Sequence, residues 1–145
     1  MAIHHPIDTP PENMLRPQET PTRQLVRLDG VWNFSLASGP DIEYDQGWLQ
    51  VIPPRLQVPV PSSYNDIFLD ASIRDHVGWV YYQRHVVVPR TWTGENYFLR
   101  FDAATHKGRV YVNEHFVTEH SGGYMPFEAD ITHLVKRNLS PGLTR

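Results

Sequence analysis

From Leu28 onward, apolar and polar residues alternate in short runs broken by turn-forming residues, a pattern that predicts strands. Trp32, Phe34 and Leu36 alternate with Val31, Asn33 and Ser35 behind an Asp29-Gly30 turn signal. That period of two gives one mainly apolar face. Residues 56–60 form a second, short strand ended by Pro59 and Pro61, because proline has no N–H to give a ladder. Residues 67–78 hold no clear period and leave room for a helical turn. The strongest strand is predicted over 79–88, where Val80, Tyr82, Val86 and Val88 share a face and Arg84 stands among them. Strands over 97–103 and 109–112 follow, joined by Ala104-Thr105-His106-Lys107-Gly108, with Gly108 as the turn residue. Residues 113–115 predict a hairpin turn into a strand over 116–119. Ser121-Gly122-Gly123-Tyr124 is a loop, and 126–131 is extended. No amphipathic helix of ordinary length is predicted.

The less regular stretches complete the outline. Residues 1–24 are polar and broken by Pro6, Pro10, Pro11, Pro17 and Pro21, which predicts an extended arm. Residues 37–50 are loop-like, with Gly39-Pro40 and several acids, and Trp48 is placed to dock them. No internal repeat is visible. The fold class expected is therefore all-β, an antiparallel sandwich or barrel.

Composition sharpens this picture mainly by exclusion. At 145 residues the chain is one domain by length and is too short for a TIM barrel, which takes about 250 residues. Its 13 prolines fit many short elements joined by turns. A net charge of −3 with scattered Lys and Arg gives no basic stripe for nucleic acid and no polybasic run for a lipid surface. With no cysteine, disulfides, thiolate metal sites and cysteine nucleophiles are excluded. No run approaches the roughly 20 apolar residues of a membrane-spanning helix. Met1 to Pro11 carries His4, His5 and prolines rather than an apolar signal segment, so a cytoplasmic location is the default expectation.

Each candidate for chemistry stands beside a plainer reading. A glycosidase needs two carboxylates flanking the scissile bond, and Asp102 with Glu128 or Asp130 is the pair to consider. Acids after strands and in turns more often cap backbone groups or face water. His115, His120 and His133 match no metal-ligand spacing. Ser62-Ser63 lies in no nucleophile elbow, and Gly122-Gly123 is too short to cradle phosphate. Trp32, Trp79, Tyr82 and Tyr111 belong to strand patterns and fit core packing. Trp48, Trp92 and Tyr124 sit in loops, where they are open to stacking on a sugar ring. Arg84 and Arg100 lie in strands and are read as wet-face or acid-paired residues rather than clamps for a substrate carboxylate. Asn33-Phe34-Ser35 and Asn138-Leu139-Ser140 spell glycosylation sequons, one inside a predicted strand and one followed by Pro141. The expectation is no catalytic residue, no metal and no cofactor, with substrate-binding residues unassigned.

Several segments, in order, resemble β-glucuronidases of glycoside hydrolase family 2. They are Met14-Leu15-Arg16-Pro17-Gln18-Glu19-Thr20-Pro21-Thr22-Arg23, Leu28-Asp29-Gly30-Val31-Trp32-Asn33-Phe34 and Val58-Pro59-Val60-Pro61-Ser62-Ser63-Tyr64-Asn65-Asp66. Val77-Gly78-Trp79-Val80-Tyr81-Tyr82-Gln83-Arg84, Leu99-Arg100-Phe101-Asp102-Ala103 and Val110-Tyr111-Val112-Asn113 follow. The last is Glu119-His120-Ser121-Gly122-Gly123-Tyr124-Met125-Pro126-Phe127-Glu128-Ala129-Asp130-Ile131. The opening run and the Gly-Gly-Tyr-x-Pro-Phe-Glu segment are particular to β-glucuronidases. The strand with Tyr82 and Arg84 and the Val-Tyr-Val-Asn segment also suit β-galactosidases and β-mannosidases.

The resemblance implies a jelly-roll sugar-binding domain, galactose-binding-domain-like, over residues 25–135, after an arm over 1–24 and before a divergent tail over 136–145. In the whole enzyme an immunoglobulin-like domain and a TIM barrel follow. The reaction implied is retaining hydrolysis of β-D-glucuronides, with both glutamates on the barrel and the full-length enzyme open to homo-oligomerisation. No position here matches those glutamates. The function expected is thus a non-catalytic amino-terminal domain that contacts carbohydrate only within the full enzyme. The alternatives are a stand-alone carbohydrate-binding module or the equivalent domain of a β-galactosidase or β-mannosidase. The tail does not resemble the family's further strands, so the sandwich is expected to be incomplete at its carboxyl end and marginal in stability.

Overall fold

The computed structural model describes residues 16–37, 51–89, 91–92 and 96–139, with side chains given as far as Val135. The predicted arm before residue 16, the 38–50 loop with Trp48, and the tail from residue 140 lie outside the described residues.

Seven strands and three helices are described. They run β1 (Gly30–Leu36), β2 (Leu56–Val60), α1 (Tyr64–Ile67), α2 (Ala71–Arg74), β3 (Val80–Gln83), β4 (Phe98–Phe101), β5 (Lys107–Val112), β6 (His115–Ser121), β7 (Phe127–Asp130) and α3 (Thr132–Leu139). Every strand pairing is antiparallel: β2-β1-β3 form one sheet, β4-β7 a second and β5-β6 a third. The all-β antiparallel class expected from the alternation is the class observed.

The first sheet carries the core. Trp32 faces Val58, and Phe34 faces Leu56 on one side and Tyr82 on the other, so the apolar faces of three strands coincide. Phe34 and Val58 are each 1% exposed, and Leu36, Leu56, Val60 and Val80 pack around them with Ile73 of α2. Tyr82, Tyr64 and Phe68 bring their rings within 5.2, 5.3 and 5.6 Å of the Phe34 ring. The opposite face stays wet, with Val31, Gln57 and Pro59 exposed. Pro59 remains inside β2, which is tolerated because β2 lies at the sheet's edge.

Three expectations need correction. The strand predicted over 79–88 stops at Gln83. Arg84 turns from the ladder and donates from Nη1 to the carbonyls of Leu28 (2.8 Å) and Asp29 (2.7 Å), leaving Val86 and Val87 exposed. Gly108 is not the turn residue, because it pairs with His120 inside β5. The left-handed position falls on His106 (φ 66°), held by a bond from the Gly122 N–H to its carbonyl at 2.7 Å. Residues after Ile131 form the eight-residue helix α3, where the sequence predicts none. Asp130 caps it by accepting from the Thr132 N–H at 2.9 Å, and Leu134 and Val135 are buried. Among the described residues, no helix is long and apolar enough to cross a membrane.

The hairpin predicted at 113–115 is present as a two-residue turn. Asn113 and Glu114 both take positive φ (48° and 67°), as a primed turn requires. β5 and β6 pair through a register irregularity at Val110/Tyr111.

Candidate functional site

Two clusters of charged side chains stand out among the described residues. The first spans β4 and β7. Arg100 stands opposite Glu128 in register, donates from Nη1 to Glu128 Oε1 at 2.8 Å, and donates from Nε to Asp102 Oδ1 at 3.1 Å. Arg16 approaches the second oxygen of Asp102 at 3.6 Å. The acid pair considered in the sequence is therefore bridged by one arginine that ion-pairs with both members. The guanidinium is correspondingly harder to deprotonate, first through the Glu128 bond. Asp130 is engaged as the cap of α3.

The second cluster lies on β5, β6 and Trp79, which directly precedes β3. Lys107 and Arg109, two residues apart on one strand face, set Nζ 5.9 Å and Cζ 5.2 Å from the Trp79 ring centre. Glu119, opposite Arg109 in register, accepts from Arg109 Nε and pairs with Lys107 Nζ at 3.3 Å. The Arg109 bond, then Lys107, holds the Glu119 carboxyl below its ordinary range. The cluster joins two sheets and, with two cations to one carboxylate, keeps one net positive charge. Sequence reasoning assigns Trp79 to the core and passes over Lys107, Arg109 and Glu119. Their one signal is the i, i+2 spacing of the two cations, which becomes informative only once the β5–β6 register is known.

The histidines are dispersed. His115 Nδ1 lies 2.6 Å from the Asn113 carbonyl, His133 is exposed on α3, and His120 stacks on Phe127 at 4.5 Å. The His120 Nε2 is buried without a hydrogen-bond partner. No group of three metal-ligating side chains is found among the described residues. Ser62 donates to the Pro59 carbonyl, and Ser63 donates to Asn65 Oδ1 at 3.3 Å. Asn33 of the first sequon lies mid-strand with its amide engaged by Gln57 and the Ile52 carbonyl.

Aromatic residues separate by position. Trp32 is half-buried and donates to the Leu28 carbonyl at 2.8 Å. Tyr111 packs on Phe116 at 5.6 Å, and Trp92 on Tyr97 at 6.2 Å. Partial burial, and secondarily Tyr64, raises the pKa of Tyr82. Among the weighed aromatics that are described, Tyr124 alone stands almost fully in solvent, at 97% exposure. A shallow depression of about 380 Å³ is lined by Phe34, Ser35, Pro53, Arg55 and Leu56; it holds no carboxylate pair.

The chain matches the family described as "Glycosyl hydrolases family 2, sugar binding domain" over residues 25–141. It belongs to glycosyl hydrolases family 2. This family 2 domain is 43% identical over 132 residues to the β-glucuronidase of Mus musculus, matching 85% of this chain and 20% of that protein. Among solved structures, it matches the β-glucuronidase of an uncultured Clostridium sp. at 41% identity and TM-score 0.77, over 83% of this chain and 21% of that one. A Bifidobacterium dentium β-glucuronidase complexed with coumarin-3-O-glucuronide matches at 44% identity and TM-score 0.76, over 82% and 19%. The family 2 domain thus spans about a fifth of the length of these relatives.

Proposed function

We propose that this chain serves as the non-catalytic, amino-terminal domain of a β-glucuronidase-like retaining glycoside hydrolase. In that reading it buttresses an immunoglobulin-like domain and a TIM barrel, and the barrel carries both catalytic glutamates. The observation that carries the reading is the match itself: β-glucuronidases align along most of this chain, while the chain accounts for only about a fifth of each. The local chemistry agrees with it. Retaining glycosidases need two carboxylates facing the scissile bond about 5–5.5 Å apart, whereas Asp102 and Glu128 are both ion-paired with Arg100.

A chromogenic β-glucuronide assay on the purified chain tests this. The expected outcome is no turnover above host background. Turnover abolished by Glu128→Gln or Asp102→Asn overturns it. The exposure of Tyr124 favours a second reading, a stand-alone carbohydrate-binding module. Titration with glucuronides and glucans separates the two, since the first reading expects no measurable affinity.

A further inference from the structure

Two connections meet at one end of the second and third sheets. The β4–β5 connection leaves Phe101 and reaches Lys107, and the β6–β7 connection leaves Ser121 and reaches Phe127. Phe101 pairs with Phe127, and Lys107 with Ser121, so both connections emerge side by side. They are tied together by the Gly122 N–H bond to the His106 carbonyl at 2.7 Å. Gly123 lies against the same connection: a Cβ there would be 3.8 Å from Thr105 Cα, in ordinary van der Waals contact. Beneath them Phe127 stacks between His120 and Phe101, at 4.5 and 5.0 Å. The pair of loops is therefore pre-ordered.

Beyond Asp102, at the foot of the first connection, what these loops present is uncharged. Residues 103–106 and 122–126 contain no Asp, Glu, Lys or Arg, in a chain of which 20% of residues are charged. At their tip Tyr124 is 97% and Met125 69% exposed. Rigid tyrosine and adaptable methionine are side chains that protein interfaces concentrate, and a loop fixed in advance loses little entropy on docking. We infer that Tyr124 and Met125 seat this domain against the remainder of its parent enzyme, in an apolar recess that offers an acceptor to the Tyr124 hydroxyl. This rests on the proposed function, and the partner follows from length: about four-fifths of each relative's polypeptide lies outside the segment this chain matches, and a one-fifth domain must pack against it.

The test exchanges residues 25–135 of this chain for the matching segment of the uncultured Clostridium β-glucuronidase. Tyr124→Ser with Met125→Ser is expected to speed tryptic release of the exchanged domain about tenfold. Val87→Ser, equally exposed at 88% but remote in the chain from these loops, is expected to leave it unchanged. In the 145-residue chain the double substitution is expected to leave the circular dichroism spectrum intact. Unchanged release in the active exchanged enzyme overturns this inference and spares the proposed function. Loss of the spectrum, or Tyr124-dependent binding of p-nitrophenyl glucuronide by the 145-residue chain, also overturns the inference. An unsubstituted exchanged enzyme without glucuronide hydrolysis removes both readings together.

Discussion

Phe34 is the side chain on which the most packing converges. Three rings and two flanking strands close on it, and it is 1% exposed. Truncation there leaves a cavity that β1, held on both sides, cannot collapse to fill. Phe34→Ala is expected to cost about 3–5 kcal/mol, visible in urea titration as loss of most of the cooperative transition. His120 makes the opposite case. Its ring lies parallel to Phe127, but its buried Nε2 has no partner. His120→Phe preserves the stacked shape and removes an unsatisfied polar atom, so stability is expected to hold or rise by up to about 1 kcal/mol. A fall of more than that in the same titration would show that the nitrogen contributes to the fold.

At the scale of elements, the β5–β6 hairpin carries local strain in its turn. Glu114 takes φ 67°, a conformation that costs a residue with a Cβ about 1 kcal/mol or more. Glu114→Gly produces the Asn-Gly pair favoured in such turns and is expected to raise stability by about 0.5–1 kcal/mol, read from the denaturation midpoint at unchanged slope. The elements also show what the sequence does and does not reveal. β1 and β2 are legible because alternation and proline mark them without outside help. β3 is overextended by pattern, since Val86 and Val88 keep the period after the ladder has ended. What ends it is Arg84 bonding to carbonyls far back in the chain, and no local window shows that. His106 in the left-handed turn is likewise hidden, because Gly108 is the more obvious candidate by intrinsic freedom. The ion pairs of Arg100 with Glu128 and Arg109 with Glu119 are cross-strand contacts. They follow from register, which the sequence leaves open.

At the scale of the molecule, several large apolar side chains among the described residues stand in solvent. Leu69, Val77 and Val87 are 94%, 87% and 88% exposed, and among the described residues each sheet has at most three strands. Unpaired edges and apolar patches of this kind favour association, and a net charge of −3 adds little colloidal repulsion. The isolated chain is expected to be marginally stable and to shift toward larger species as concentration rises in size-exclusion chromatography. A soluble monomer that melts cooperatively above about 50 °C would contradict this. The family assignment has a different standing: it comes from residue-by-residue likeness along most of the chain and does not depend on that outcome.

The clamp between Arg84 and the Leu28 carbonyl joins positions 56 residues apart. On the ribosome, with synthesis at about 5–20 residues per second, the fastening residue is therefore made about 3–11 s after Leu28. For that interval the nascent sheet has an open flank, along which β1 can pair with another chain before its own partner strand is in place.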